Sequence, residues 1–347
     1  MVRKRKPVIC VCMLFVLLTF IHLLPLPLHP SRSVSETIDS LLNTWIISHV
    51  HSRLFSNPLE LFQANIFHPH PNTLTYSEHL LPQALLALPV ALILKNPILA
   101  YNVVFLLAFF LNGFIMYLFI RYLTKSELAG IACGIMFAFN TYNFNHIGHL
   151  QMLYAWPIPL SFLFLHKYFG EGRLKDSVFF SLFFAVQALC SIYYGLFFIS
   201  ILAVMLPIFL LVYRKRVNIS FLLKLAVPLG VAGSVLLAFS LPYLSLFKTF
   251  GFQRGLTKGA DLIHYLAVNP HNVILARMLN SLGRHEYFLC PGLGALILAA
   301  LFLWKKRSLF RISVRPLRWA LYALIMVHSL VIGILLGTGG FSLDLGF

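Results

Sequence analysis

Apolar runs alternate along this chain with short polar gaps, and nine of the runs are long enough to predict membrane-length helices. They cover 7–27, 97–120, 128–144, 148–166, 177–192, 195–213, 219–247, 288–304 and 317–337. A tenth run, 80–94, is shorter and carries Pro82 and Pro89, so it predicts an interfacial or re-entrant helix. Two polar stretches are too long to be turns, 30–79 and 248–287. Within the first, Leu41, Leu42, Trp45, Ile46, Ile47 and Val50 recur at helical spacing, which predicts an amphipathic helix lying on the membrane surface. The fold class expected is therefore an all-α integral membrane protein of about nine transmembrane helices, with interfacial helices in its first outer loop. Residues 1–347 form one membrane domain, with 30–96 as the first extracytoplasmic loop and 248–287 as the second.

Composition narrows the class further. With 59% hydrophobic and 11% charged residues, and a mean hydropathy of +0.85, a soluble globular fold is excluded. The net charge of +17 does not point to nucleic acid, because the basic residues sit in short clusters at the ends of apolar runs. Those clusters (Arg3 to Lys6, Arg121 with Lys125, Lys167 with Arg173 and Lys175, Arg214 to Arg216, and Lys305 to Arg318) alternate with gaps that hold most of the acids and histidines. Under the positive-inside rule the clusters are cytoplasmic, which puts the N-terminus inside and the C-terminus outside. On that assignment 19 of the 27 basic residues fall inside and seven of the ten acids outside. It also keeps 80–94 from crossing, since a crossing there would invert every later cluster. The competing reading of 7–27 as a cleaved signal peptide lacks a small-residue cleavage site. The five cysteines lie in or beside apolar runs without metal-ligand pairing, and no structural disulfide is expected.

The outer segments hold the candidate chemistry. Asp39 starts the amphipathic helix, where headgroups and apolar neighbours would partly desolvate it; the alternative is that Asp39 or Ser40 simply caps that helix. Glu78 and His79 stand where the first loop returns to the membrane and place an acid beside an imidazole. A helix-start acid that complements the dipole is the plainer account of Glu78. His68 and His70, held extended around Pro69 and Pro71, have i, i+2 spacing that suits a metal in extended chain, although interfacial hydrogen bonding is favoured over ligation. The uncharged gap 140–151, with Asn143, Asn145, His146, His149 and Gln151, suits either a hydroxyl-rich ligand or a solvated turn. Tyr193-Tyr194-Gly195 marks an outer hairpin. Arg277 and Arg284 run against the charge trend of the outer side, as a phosphate ligand or a lipid headgroup would require.

Several of these motifs share a resemblance. Asp39-Ser40-Leu41-Leu42-Asn43-Thr44-Trp45, Asn57-Pro58-Leu59, Ala64-Asn65-Ile66-Phe67-His68-Pro69-His70-Pro71 and Tyr76-Ser77-Glu78-His79 resemble the first outer loop of a family of prokaryotic multi-span proteins. Gly148-His149-Leu150-Gln151, Ser191-Ile192-Tyr193-Tyr194-Gly195 and Glu286-Tyr287-Phe288-Leu289-Cys290-Pro291-Gly292 follow in the same order. That family is similar to the GT-C-type glycosyltransferases. The resemblance implies transfer of a sugar from a polyprenyl-phosphate donor to an acceptor at the outer face of the cytoplasmic membrane. Asp39 would be the first-loop acid, acting as general base or holding a divalent cation, and Glu78 the second acid. His79, His149, Gln151, Tyr194, Arg277, Arg284 and Glu286 would serve substrate binding. Asp39 lacks the adjacent second acid of several such enzymes, and the chain ends where relatives continue, so a shortened, non-catalytic scaffold is one rival expectation. A lipid or polysaccharide transporter is the other; it calls for ionisable residues or broken helices near the midplane, which the apolar runs scarcely contain.

Overall fold

The computed structural model describes residues 6–250, 261–269, 272, 276–282 and 287–305. Helix accounts for 77% of it and no strand occurs among the described residues, which makes the protein all-α. In chain order the helices are α1 (Lys6–His22), α2 (Asp39–Ser56), α3 (Leu81–Leu94), α4 (Pro97–Thr124), α5 (Glu127–Ala138), α6 (Thr141–Asn145), α7 (Leu150–Leu153), α8 (Pro157–Glu171), α9 (Leu174–Cys190), α10 (Ile192–Val212), α11 (Ile219–Phe250), α12 (Ala276–Leu279) and α13 (Leu293–Lys305). Three of these, α4, α10 and most of α11, are long and apolar enough to cross a membrane. The run at 317–337 lies outside the described residues.

Helix α4 organises the rest. Asn96 caps it by accepting the Leu99 amide at 2.9 Å, Pro97 occupies its first turn, and Lys125 ends it in the left-handed region with φ 59°. Its 28 residues span about 42 Å. Helices α2, α3, α5 and α8 all pack on it. Contact with α5 is close because both helices present glycine: a Cβ at Gly134 would lie 2.5 Å from the Gly113 carbonyl and 2.5 Å from the Phe15 ring of α1. Small residues of this kind let helix backbones approach where no hydrophobic drive separates helix from lipid. A second aromatic core joins α8 and α9 to α10 and α11 through Leu165, Phe169, Phe180, Phe198 and Phe221.

The sequence reading needs correction at 128–166, where two continuous spans were expected. Helix α5 stops at Ala138, and Asn143 donates its amide to the Phe137 and Ala138 carbonyls while Asn140 caps α6. Helix α8 begins only at Pro157. The polar residues of this stretch thus serve to end helices, as Asn does by bonding backbone groups in competition with the helix. What lies between is irregular chain with two short helices, α6 and α7, packed in part against α4. Asn112 donates to the Leu153 carbonyl at 2.8 Å, Gln187 to the Tyr154 carbonyl at 2.9 Å, and the Tyr154 hydroxyl to the Val104 carbonyl at 2.9 Å. These bonds satisfy backbone groups that the interrupted helices leave without partners.

The amphipathic helix of the first loop is present as α2, but its inward face differs from the one expected. Leu41 and Leu42 are exposed, whereas Ser40, Asn43 and Thr44 are buried with Ile46, Ile47 and Val50. The polar edge turns inward because it has partners there: Asn43 donates to the Gly148 carbonyl at 2.9 Å and the Tyr101 hydroxyl donates to Ser40 Oγ at 3.0 Å. Helix α3 forms a separate 14-residue helix packed on α2 and α4, about 21 Å long and too short for the hydrocarbon core.

Candidate functional site

Asp39 and His149, 110 positions apart, meet at 3.1 Å between Oδ2 and Nε2, both of them part-exposed at 40% and 32%. The contact is built from two sides. On one, Glu36 caps α2: its carboxylate accepts the amides of Ile38 and Asp39 at 2.7 Å and of Ser40 at 3.4 Å. Desolvation pushes the Glu36 carboxyl up, but these amides together with that of Thr37 outweigh it and hold the group below the usual range. The alternative of Asp39 or Ser40 as helix cap is thereby overturned, since Glu36 performs that task and leaves the Asp39 carboxylate to His149. On the other side the chain at 147–149 is pinned to α2 through Asn43 and to the segment before it, where Ser35 Oγ donates to the Ile147 carbonyl at 3.1 Å. Gly148 allows the approach, because a Cβ there would stand 3.1 Å from Glu36 Oε2 and 3.4 Å from Asp39 Cβ. Neither Glu36 nor Gly148 was singled out as functional from the sequence. The signal for Glu36 was its place three residues ahead of Asp39, just before the apolar face begins.

Beside this pair lies a cavity of about 320 Å³, lined by Leu23, Leu26, Val34, Phe105, Phe144 and Ile147 and by His22, His29, Ser33 and Ser35. Its lining is mostly apolar, and neither Asp39 nor His149 is part of it. Ser35 and Ile147 belong both to the cavity wall and to the contacts that hold Asp39 and His149. Arg32, which the sequence reading passed over, is exposed in the turn between the lining residues His29 and Ser33.

Glu78 is placed elsewhere. Its carboxylate faces the start of α10, 3.3 Å from the Ile192 amide and 3.5 Å from Ser191 Oγ. Burial pushes its carboxyl up to about 7, against the opposing pull of those two donors. His79 points into a cage formed by the rings of Phe62, Phe239 and Tyr243, and its Nδ1 accepts the Leu81 amide at 3.0 Å. Burial there pushes the imidazole down to about 4, so it stays neutral with its proton on Nε2. The adjacent acid and imidazole therefore have separate partners, and His79 is a core histidine. No family model, curated protein or solved structure matches the chain.

The remaining candidates divide. The Tyr194 hydroxyl donates to the Met152 carbonyl at 2.8 Å and so ties α7 to the start of α10. Gln151 lies one residue before Met152 in α7, part-buried. Arg277 is exposed on α12 and makes no ion pair with a described residue. Arg284 and Glu286 lie outside the described residues. Residues 67–70 form a turn closed by the His70 amide on the Phe67 carbonyl, so the His68 and His70 pair lacks the extended geometry expected of it. Among the described residues no group of three or more His, Cys, Asp or Glu side chains could hold a metal ion. Asp39 and His149 offer two donors, and the Glu36 carboxylate beside them is spent on amides.

These contacts also sort the chain by end. Segments around 35–43, 78, 145–152, 190–194 and 269 meet at one end, the last through Asn269 and Asn145 at 3.0 Å. Tyr122, His166, Gly170 and Arg216 gather at the other.

Proposed function

We propose that the chain is a GT-C-like membrane glycosyltransferase, with the N-terminus inside and about nine spans, that transfers a sugar from a polyprenyl-phosphate donor to an acceptor at the outer face of the cytoplasmic membrane. The observation that carries this reading is the Asp39–His149 pair, 3.1 Å apart and part-exposed, beside an apolar cavity. A lipid-borne donor arrives laterally through the bilayer, so an acid, a cation and an apolar groove must share one interface. In support of the reading, Ser35 of the cavity wall leads into the helix that starts at Asp39, and Arg32 is exposed in the turn that carries the lining residues His29 and Ser33.

In this mechanism His149 Nε2 donates to Asp39 Oδ2 and fixes the carboxylate, leaving Oδ1 to take the proton of the acceptor hydroxyl as the new glycosidic bond forms. The sugar leaves its lipid phosphate, whose charge is met by Arg32 and by the arginines of the second loop, Arg277 among them. No step runs through a metal, because the donor set around Asp39 does not make a protein-held cation site. Glu78, the second acid of this reading, is held at the start of α10 by the Ile192 amide and Ser191.

Asp39→Asn tests the proposal. It keeps the shape and removes the base, and should lower transfer about 10²- to 10⁴-fold in membranes supplied with polyprenyl-phosphate sugars, at unchanged expression. Equal glycolipid profiles for wild type and variant would remove the proposal's main support.

One observation favours a second reading, a lipid or polysaccharide transporter. The broken stretch at 139–156 lies against α4 with Asn112 and Gln187 buried around it, and interrupted helices are a recurring feature of transporters. A transporter would move labelled glycolipid across vesicles in the Asp39→Asn variant as well, without forming a new glycosidic bond.

A further inference from the structure

At the end of α4 and α10 remote from Asp39 and Glu78, two lysines share one aromatic ring. Lys125 Nζ lies 4.7 Å from the centre of the Tyr122 ring and donates to the Tyr122 carbonyl at 2.6 Å. Lys167 Nζ lies 5.5 Å from the same ring centre and 5.1 Å from that of Phe164. The ring is fixed by its hydroxyl, which is 3.0 Å from His166 Nδ1. Both ammonium groups are attracted to aromatic quadrupoles, yet bringing them to one ring sets like charges against each other.

No carboxylate among the described residues pairs with either lysine, and the acids of this end are engaged or withdrawn. Glu127 binds Arg121 Nε and the Tyr117 hydroxyl, both at 2.6 Å, and Glu171 pairs with Arg173. Asp176, within electrostatic range of the Tyr122 hydroxyl, is buried in the first turn of α9. Two ammonium groups thus meet one ring with no carboxylate paired to either among the described residues, and an anion bound by both lysines would offset their repulsion. Exposed Leu123 on α4 and exposed Leu211 and Val212 at the end of α10 supply apolar surface at the same level. A free inorganic anion has no use for such a flank, whereas a phospholipid does: its phosphate sits at the cations and its chains lie along the leucines.

We propose that Tyr122, Lys125 and Lys167 form a seat for the headgroup of an anionic phospholipid, at the face opposite the Asp39 site. The inference does not depend on the chemistry assigned to that site. It is tested on the full chain in detergent, titrated with phosphatidylglycerol while retained lipid is counted by native mass spectrometry. A Lys125→Gln, Lys167→Gln double variant should weaken retention roughly ten- to thirty-fold, about five-fold for each cation. Tyr122→Leu should weaken it as well, and Arg214→Gln with Lys215→Gln, exposed cations of the same end, should change it by less than about two-fold. The proposal is overturned if the Arg214 and Lys215 variant loses as much as the lysine pair, which would mean diffuse charge. It is equally overturned if phosphatidylcholine is retained as well as phosphatidylglycerol, if Tyr122→Leu has no effect, or if millimolar inorganic phosphate displaces the lipid.

Discussion

Replacing Glu78 by glutamine tests how the first loop is fastened to α10. The carboxyl is raised from 4.5 to about 7 because burial disfavours its charged form more than the Ile192 amide and Ser191 hydroxyl favour it. A value raised on folding means that folding favours the neutral acid. This contribution is complete below pH 4.5 and disappears as the pH rises through about 7. At 1.36 kcal/mol per pH unit the gap corresponds to about 3 kcal/mol, which water reaching the part-exposed carboxyl reduces to about 2 kcal/mol. Glutamine keeps the shape and an oxygen for the Ile192 amide but cannot ionise. Wild type and Glu78→Gln should therefore melt alike at pH 5, while at pH 8 the variant should be more stable by about 2 kcal/mol, a shift of a few degrees. The measurement is a thermal melt of the purified chain in one detergent at both pH values, read as the difference between the two proteins so that other titrating groups cancel. If the difference does not change with pH, or if glutamine is the less stable at pH 8, the carboxyl is not held neutral and the argument from burial fails.

Two further outcomes follow from the packing. Gly134→Ala would push a methyl against the Gly113 carbonyl, which cannot yield as a side chain does, so α4 and α5 must separate at a cost of about 1–3 kcal/mol; Gly230→Ala, with nothing within 4 Å of the new Cβ, should be neutral or slightly stabilising in the same melt. Glu36→Ala should cost about 1 kcal/mol by uncapping α2, and the wild-type contribution, present above pH 4.5 because the folded value is lowered, should be lost as the pH falls below it, read from melts at pH 7 and pH 3.5.

Much of the architecture is legible along the chain. Long apolar runs with almost no charge inside them become helices, since a segment with no water to bond must satisfy its own backbone, and α4, α10 and α11 follow the runs that predict them. The segments that charge alternation groups together are those whose side chains meet, Asp39 with His149 and Glu78 with Ser191, because short connections leave each end of a helix bundle to its own loops. What the sequence could not convey was the use made of each polar group. Asn143 and Asn145 read as a ligand-facing tip, yet Asn143 terminates α5 and Asn145 bonds Asn269. Glu78 and His79 read as one acid–base pair, yet they answer to α10 and to an aromatic cage. Whether an acid caps a helix, titrates in a buried niche or faces a cavity depends on which distant backbone amides and rings surround it. Periodicity carries no trace of those neighbours; the packing of the first loop against α10, α11 and the chain at 147–149 supplies them.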